Sequence, residues 1–251
     1  MFEISFIPAF KDNYIWLLRR GRQAVVVDPG DAGPVLARLA DDGLELAGIL
    51  VTHHHADHQG GIAELRARHP APVFAPADES ITGRSEPLHG GESLTLLDQV
   101  VRVLAVPGHT AGHLAYLVDD RLFCGDTLFG AGCGRLFEGT PAQMAASLDS
   151  IAALPPATLI HCAHEYTEAN LRFAQAVEPD NPDIAARVAQ VAQLRRAGQP
   201  SVPSTLAEEL ATNPFLRCRQ PAVIAAARQH GAADASPVAV FAALRAWRNG
   251  F

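Results

Sequence analysis

The chain has 251 residues, 48% of them hydrophobic, and a formal net charge of −7. This length can bury a large core in one or two domains, and the acidic balance gives no electrostatic reason to bind nucleic acid or an anionic membrane surface. No apolar run reaches the roughly 20 residues that span a bilayer. The amino terminus also lacks the basic and long apolar regions of a secretory signal.

The four cysteines show no CxxC spacing and are too few to form a disulfide scaffold in a chain of this length. We therefore expect reduced thiols in a cytoplasmic protein. Cys133 lies in a glycine-rich segment and could act as a nucleophile, but the sequence shows no dedicated base near it. Nothing in the sequence suggests an obligate partner, so we expect a monomer.

Short β-rich runs broken by glycine and proline fill the first two-thirds of the chain. Strands are predicted at 4–7, 14–18, 24–28, 48–52, 73–75, 93–97, 100–105, 114–118, 122–124 and 158–161. Apolar residues at helical spacing predict helices over 31–42, 62–68 and 141–153. Pro141 suits the first turn of the last of these helices.

After about Glu165 the composition changes to alanine, glutamine, leucine and arginine, and no long strand-like run follows. Helices are predicted at 167–176, 183–197, 205–211 and 237–248. Thr205 with Glu208 matches a capping box, and Ser236 before Pro237 is typical of a helix start. The layout is an α/β domain with many short strands, followed by a smaller all-α domain.

Four of the eleven histidines crowd into the six positions His53-His54-His55-Ala56-Asp57-His58. Imidazole nitrogens and carboxylates are the ligands of a borderline transition metal, typically zinc. Residues i and i+2 of an extended segment point the same way, so His53 and His55 can bind one ion while His54 points elsewhere. Asp57 and His58 follow the turn and project toward a second position. The cluster can serve one metal alone or supply half the ligands of two.

Three further polar side chains stand just past later predicted strands, where loops tend to collect site residues. They are His109 after Val106-Pro107-Gly108, Asp126 after Cys124-Gly125, and His164 after Ile160-His161-Cys162-Ala163. A lone histidine in such a place is more often a hydrogen-bonded core or surface residue. The ordered set, taken with the histidine cluster, strengthens the metal hypothesis.

The segment 52–58, THHHADH, matches the THxHxDH signature of the metallo-β-lactamase superfamily, and the later candidate ligands occur in that superfamily's order. Within it, the chain resembles the glyoxalase II (hydroxyacylglutathione hydrolase) family nearly end to end. The matching pieces are DNY at 12–14, VDPG at 27–30, PGHTAGH at 107–113, GDTLF at 125–129, GCGRLFEGT at 132–140, HEYT at 164–167 and NPFLR at 213–217. The GCGR segment and the helical C-terminal region are the more specific pieces.

The resemblance implies an α+β fold, an αββα sandwich of two mixed sheets with the metal site at one edge. This catalytic domain would span residues 1–165, and a helical substrate-binding domain would span 166–251. Two divalent ions are implied, Zn²⁺ with iron or manganese as alternatives. The first would take His53, His55 and His109, the second Asp57, His58 and His164, and Asp126 would bridge both. Asp57 and Asp126 would also be catalytic, because they would hold the hydroxide that two neighbouring ions generate.

The implied reaction is hydrolysis of an S-(2-hydroxyacyl)glutathione, typically S-D-lactoylglutathione, to glutathione and D-lactate. It would be the second step of methylglyoxal detoxification. A thiol has a pKa near ~8.5, so a thiolate can leave without a strong general acid, and the motifs offer no obvious acid. The resemblance places the glutathione thioester against Arg135, Phe137, Tyr166, Arg245 and Arg248. The last two are i and i+3 on one helical face, which could otherwise be a solvated face.

Other functions stay open at this point. A mononuclear-iron persulfide dioxygenase of the same superfamily shares glutathione recognition and part of the ligand set, but the GCGR and NPFLR segments argue against it. The acidic charge argues against a nuclease, and the missing signal argues against a periplasmic β-lactamase. A purely metal-binding protein would not need the complete ligand set.

Four other residues near the candidate ligands receive less specific predictions. Asp28 could orient a ligand histidine through a hydrogen bond or could simply serve the turn at Pro29-Gly30. We expect His113 and His161 to pack in the core or beside the ligands. His54 needs no functional explanation.

Overall fold

The computed structural model describes residues 3–251, so the first two residues of the predicted domain 1–165 lie outside the described residues. The chain divides into two compact units. Among the described residues, the first comprises 3–105 and Thr110–Gly125, and the second comprises Val106–His109 and Asp126–Phe251. The predicted domain boundary at 165/166 stays a prediction.

The first unit contains a six-stranded mixed sheet in the order β1-β2-β3-β4-β5-β6. Its strands are β1 Glu3–Ala9, β2 Asn13–Arg20, β3 Gln23–Val27, β4 Glu45–Leu50, β5 Val73–Pro76 and β6 Glu86–Leu88. The first three pair antiparallel, and the steps from β3 to β6 are parallel. The helices of this unit are α1 Ala32–Asp41, α2 Ala56–Gln59 and α3 Ile62–Arg68.

Helix α1 shows why these connections form where they do. Asp31 caps it by accepting a hydrogen bond from the Gly33 N–H at 2.9 Å, which satisfies an otherwise unpaired helix donor. Val35 and Leu39 lie one turn apart on its buried face and join the core with strand residues such as Ile49. Burying each such side chain contributes roughly 1.5–3 kcal/mol.

Four further strands of the first unit form an antiparallel meander. They are β7 Ser93–Leu96, β8 Gln99–Ala105, β9 Leu114–Val118 and β10 Arg121–Gly125. Strand β9 is buried along its whole length, and the Tyr116 hydroxyl donates to the Val51 carbonyl at 2.6 Å. This bond fixes the backbone that leads into the histidine cluster.

The second unit is mainly helical. Its strands are β11 Leu128–Phe129, β12 Gly132–Cys133, β13 Leu159–Cys162 and β14 Ser204–Thr205, with β11–β12 and β13–β14 paired antiparallel. Its helices are α4 Pro141–Ala152, α5 Thr167–Val177, α6 Pro182–Arg196, α7 Leu206–Thr212, α8 Pro221–Gln229 and α9 Pro237–Asn249. The caps predicted at Thr205 and Ser236 are confirmed, because their side chains accept from the Glu208 and Ala239 N–H groups.

A buried carboxylate ties several elements of the second unit together. Glu209 Oε1 accepts hydrogen bonds from the Arg187 guanidinium and, at 2.6 Å, from the Ser204 hydroxyl. Its Oε2 accepts from the Ala131 N–H at 2.8 Å and from Asn213 Nδ2 at 3.0 Å. Glu209 and Arg187, the two members of the ion pair, are both buried. Through these hydrogen bonds the Glu209 carboxylate joins α6, α7, β14 and the β11–β12 turn.

The predicted strands and helices are present, with ends displaced by a few residues, as is usual at element ends. The sequence interpretation missed α2, β6, β11, β12, β14 and α8. Four of these span only two or three residues, and α2 spans four. Helix α8 buries only Val223 and Ala227, so its apolar periodicity is weak. Among residues 3–251, no helix combines the length and hydropathy needed to cross a membrane.

Candidate metal centre

The histidine cluster begins three residues after strand β4 ends at Leu50. His55 keeps an extended backbone and precedes the short helix α2, so His53 and His55 face each other as their i and i+2 spacing predicts. His53 Nε2 and His55 Nδ1 lie 3.1 Å apart. Two nitrogens bound tetrahedrally to one zinc ion lie roughly 3.3 Å apart. The pair therefore has the spacing of two ligands of one ion.

Asp57 and His58 form a second pair in the first turn of α2. Asp57 Oδ2 lies 3.4 Å from His58 Nε2. The Asn13 side-chain amide donates to the same Asp57 oxygen at 3.0 Å. Four donor groups of the first unit are thus arranged as two pairs.

Asp28 connects both pairs through hydrogen bonds. Its Oδ1 accepts the Thr52 N–H at 2.7 Å, and its Oδ2 accepts the Thr52 hydroxyl at 2.8 Å and His58 Nδ1 at 3.0 Å. Since the Thr52 hydroxyl gives its hydrogen to Asp28, its oxygen accepts from His53 Nδ1 at 3.0 Å. Both rings then carry their hydrogen on Nδ1 and present Nε2 as a ligand atom. Of the two roles considered for Asp28, the structure supports orientation of a histidine.

His54 points away from this group. Its Nδ1 lies 3.0 Å from Oε2 of Glu79, a buried residue to which the sequence interpretation gave no role. Glu79 Oε1 also accepts from the Thr110 hydroxyl and, at 3.1 Å, from the Gly112 N–H. The turn after His109 is thereby fixed by a carboxylate from the loop after β5.

His113 and His161 occupy buried positions, in agreement with their prediction. The His113 ring stacks on His53 with centroids 4.6 Å apart. His161 Nδ1 lies 3.1 Å from the Leu159 carbonyl.

The second unit brings together the three later candidate ligands. Asp126 Oδ2 lies 3.4 Å from His109 Nε2, and Asp126 Oδ1 lies 3.3 Å from His164 Nε2. Each oxygen of one carboxylate therefore faces a different imidazole, which is the arrangement of a carboxylate that bridges two ions. His109 Nδ1 donates to the Arg135 carbonyl at 2.8 Å, so its Nε2 is the ring nitrogen that stays available to an ion.

The GCGR segment lies directly against these ligands. A Cβ at Gly134 would stand 2.0 Å from the Asp126 carbonyl oxygen and 3.0 Å from His109 Nδ1, so only glycine permits this approach. The Phe137 ring is 63% exposed and meets the His109 ring edge-on at 5.2 Å. The Tyr166 ring stacks on His164 at 4.8 Å. Phe137 and Tyr166 thus adjoin two candidate ligands.

The last helix carries two arginines with different surroundings. Arg248 is partly buried, and its Nη2 donates to Asn170 Oδ1 at 3.4 Å. Burial, followed by the positive charges of Arg245, Arg135 and Arg172, lowers the pKa of Arg248. Three other arginines therefore add positive charge near Arg248, which favours an anion there.

Arg245 is buried and holds the GCGR segment. Its Nη1 donates to the Cys133 carbonyl at 2.8 Å and lies 3.8 Å from Cys133 Sγ, and its guanidinium lies over the Phe215 ring. Burial raises the pKa of the Cys133 thiol, although the charge of Arg245 opposes this. A protonated, buried thiol is a poor nucleophile, so the structure argues against a nucleophilic Cys133.

The chemistry of the donor set fits divalent transition ions. Five imidazoles and two carboxylates are present, which are ligands that zinc, iron and manganese all accept. The fold thus carries histidine and aspartate clusters able to bind a dinuclear metal site.

Two family models together cover nearly the whole chain. Residues 10–164 match the metallo-beta-lactamase superfamily, and residues 165–251 match the hydroxyacylglutathione hydrolase C-terminus. The hydroxyacylglutathione hydrolase of Dechloromonas aromatica (strain RCB) is 68% identical, and the alignment covers 100% of both chains.

Solved structures show the same fold. The crystal structure of ETHE1 from Myxococcus xanthus matches with a TM-score of 0.68 at 26% identity, covering 99% of this chain and 98% of that one. The crystal structure of TTHA1623 in a di-iron-bound form matches with a TM-score of 0.55 at 31% identity, covering 63% and 90%. The predicted αββα sandwich of two mixed sheets with a helical C-terminal region is thereby confirmed.

Proposed function

The chain belongs to the hydroxyacylglutathione hydrolase family of the metallo-β-lactamase superfamily, and from this membership we propose that it hydrolyses S-(2-hydroxyacyl)glutathione thioesters. S-D-lactoylglutathione would give glutathione and D-lactate, the second step of methylglyoxal detoxification. The observation that carries the proposal is the identity of 68% to a relative of that name over both full lengths. The alternative, a mononuclear-iron persulfide dioxygenase, is not favoured, because the helical region 165–251 matches the hydrolase C-terminus.

The proposed metal site uses the seven residues selected from the sequence. One ion is held by His53, His55 and His109, the other by Asp57, His58 and His164, and Asp126 bridges them. The separate pairs within each unit support this division, since each pair has a spacing suited to one ion. We propose Zn²⁺, with iron or manganese accepted by the same donors. In this proposal residues 1–165 form the catalytic domain and 166–251 the substrate-binding domain.

When bound, the two ions supply Lewis acidity, which lowers the pKa of water toward neutrality and polarises the thioester carbonyl. Asp57 and Asp126 orient the attacking water through their carboxylate oxygens, and they are the catalytic residues of the proposal. Asp28 and Thr52 keep His53 and His58 in the ligand tautomer. The leaving thiolate needs no strong acid because its conjugate thiol has a pKa near ~8.5.

Five residues of the second unit form the proposed glutathione site: Arg135, Phe137, Tyr166, Arg245 and Arg248. Arg248 and its neighbouring arginines match the negative charge of the tripeptide. Phe137 and Tyr166 supply aromatic surface beside two candidate ligands. Arg245 acts indirectly. It donates a hydrogen bond to the Cys133 carbonyl, which belongs to the same segment as Arg135.

Release of thiol from S-D-lactoylglutathione tests the function. A chromogenic thiol reagent reports turnover before chelation, after chelation and after addition of Zn²⁺. We expect release that chelation abolishes and zinc restores. A protein that contains two metals per chain but releases no thiol would contradict the proposal. One iron per chain, with oxygen consumed in the presence of glutathione persulfide, would support the dioxygenase instead.

We also propose a cytoplasmic location and a monomeric state. The four buried cysteine thiols are compatible with a reducing compartment. Cell fractionation and size-exclusion chromatography with light scattering would test the two statements separately.

A further inference from the structure

Asn13 reaches Asp57 from a distant part of the chain. It is the first residue of β2, after a tight turn in which Phe10 adopts a positive φ of 50°. Its side-chain nitrogen donates to Asp57 Oδ2 at 3.0 Å and lies 3.4 Å from the Asp57 carbonyl oxygen. A carboxamide nitrogen carries two hydrogens, so one group can hold both the carboxylate and the backbone of the same residue.

Asp57 needs such support more than His58 or Asp126 does. Its side chain is 42% exposed, whereas that of His58 is 1% exposed and that of Asp126 is 11% exposed. Packing fixes the orientation of His58, but an exposed carboxylate keeps rotamer freedom that must be lost when it binds an ion. The Asn13 amide removes that freedom beforehand.

The Asp57 backbone is confined on another side. A Cβ at Gly30 would lie 1.9 Å from the Asp57 carbonyl oxygen and 2.9 Å from Cε2 of Phe10. Gly30 therefore lies in close contact with both the Asp57 carbonyl and the Phe10 ring. The Asp57 carbonyl therefore cannot move toward Gly30. Because the Asn13 amide contacts both this carbonyl and the Asp57 carboxylate, it also holds the carboxylate in place.

We propose that Asn13 is a positioning residue that holds the Asp57 carboxylate in the orientation needed to bind the second ion. Asn13 sets the affinity for the ion of Asp57 and His58, and has little effect on the ion of His53 and His55. The donated hydrogen bond goes to Oδ2, the oxygen that faces His58 Nε2. This inference rests on the proposed two-metal site and concerns metal binding alone.

Metal content and affinity in Asn13→Ala and Asn13→Leu test the proposal. Leucine has the same number of heavy atoms as asparagine and cannot donate, so it separates loss of the hydrogen bond from loss of volume. We expect both variants to bind the first zinc equivalent normally and the second about 10–100-fold more weakly, the usual effect of removing a group that orients a metal ligand. In the Co²⁺-loaded proteins, magnetic coupling between the two ions should be lost at sub-saturating metal.

Asn181→Ala is the control, since it removes a side-chain amide that donates to the Ala211 carbonyl at 3.2 Å and caps α6, outside the candidate metal site. It should keep both equivalents. Wild-type affinity for the second ion in Asn13→Leu would overturn the proposal. So would equal weakening of both ions together with a lower melting temperature of the metal-free protein, which would indicate a purely structural role.

The metal readouts separate this proposal from the enzymatic one. If the second ion weakens selectively but S-D-lactoylglutathione is not hydrolysed by the wild-type protein, the role of Asn13 stands and the substrate assignment fails. If the thioester is hydrolysed and both ions bind normally to Asn13→Ala, the substrate assignment stands and the role of Asn13 fails.

Discussion

The Asp28 carboxylate accepts a hydrogen bond from His58 Nδ1 at 3.0 Å through the same oxygen that accepts the Thr52 hydroxyl. Thr52 in turn accepts from His53 Nδ1. One buried carboxylate thus sets the tautomers of two histidines, one from each pair of candidate ligands in the first unit.

Replacing Asp28 with asparagine should weaken metal binding about 10–100-fold. Asparagine offers only one acceptor oxygen in place of two, yet it tolerates the positive φ of 54° at this position. Competition with a chromophoric chelator measures the affinity. Asp31→Asn is the control, because asparagine caps α1 as well as aspartate does. Unchanged affinity in Asp28→Asn would contradict the orienting role.

Removal of the Asp126 carboxylate should prevent formation of the two-metal site. Its two oxygens face His109 Nε2 and His164 Nε2, so Asp126→Ala removes a shared ligand of both proposed ions. We expect fewer than two metal equivalents per chain and loss of nearly all turnover. Metal analysis and the thiol-release assay check this, and full activity with two bound metals would refute bridging.

Arg248→Ala should raise KM for the glutathione thioester about tenfold with little change in kcat, because it removes a contact made equally in the ground and transition states. The partly buried guanidinium lies in a positive environment. Arg228→Ala, an exposed arginine of α8, should leave KM unchanged. Steady-state kinetics with S-D-lactoylglutathione measures these KM values. Equal KM values for Arg248→Ala and the wild-type protein would show that Arg248 is not part of the substrate site.

The Cys133 thiol should be unreactive and dispensable for catalysis. Burial raises its pKa above that of an ordinary thiol, so the thiolate form stays scarce at neutral pH. Alkylation of the folded protein by iodoacetamide should be slow at pH 7 and still increase above pH 9. Cys133→Ala should keep its activity. Rapid labelling of Cys133 at neutral pH, followed by inactivation, is the contrary result.

Glu209→Ala should destabilise the protein by roughly 3–5 kcal/mol, because it removes the buried carboxylate partner of the Arg187 guanidinium and leaves only the more exposed Glu208 carboxylate at 3.6 Å. Urea unfolding measures the change in the free energy of unfolding. The exposed pair of Arg219 and Asp149, which is bidentate at 2.8 Å, provides the comparison. Asp149→Ala should cost less than about 1 kcal/mol. Similar losses in both variants would contradict the dependence on burial.

The candidate ligands could be predicted because chemistry and spacing coincide in the sequence. Residues 53–58 carry four of the seven within one turn, and the others follow strand ends. The residues that support them could not be predicted. Asn13 lies 44 residues from Asp57, and Glu79 lies 33 residues from Gly112. Such contacts depend on how strands and loops pack, and no local sequence pattern predicts them.

The same distinction holds for the fold. Strands such as β3 and β9 were predicted because their apolar, β-branched runs are buried, whereas β11, β12 and β14 are two residues long. The β11–β12 turn is held by Glu209, which accepts a hydrogen bond from the Ala131 N–H, and by Asn213, which donates to two backbone carbonyls. Its structure therefore comes from side chains about 80 residues later in the sequence.

Dependence of the β11–β12 segment on Asn213 and Arg245 limits how relatives can be recombined. Asn213 Nδ2 donates hydrogen bonds to the carbonyls of Phe129 and Gly132, and Arg245 donates one to the carbonyl of Cys133. A chimaera joined after residue 165 inherits these acceptors from one parent and their donors from the other. A donor parent without equivalent side chains would leave buried carbonyls unsatisfied, at about 1–3 kcal/mol each. Helical regions are therefore exchangeable only between parents that both have hydrogen-bond donors equivalent to Asn213 and Arg245.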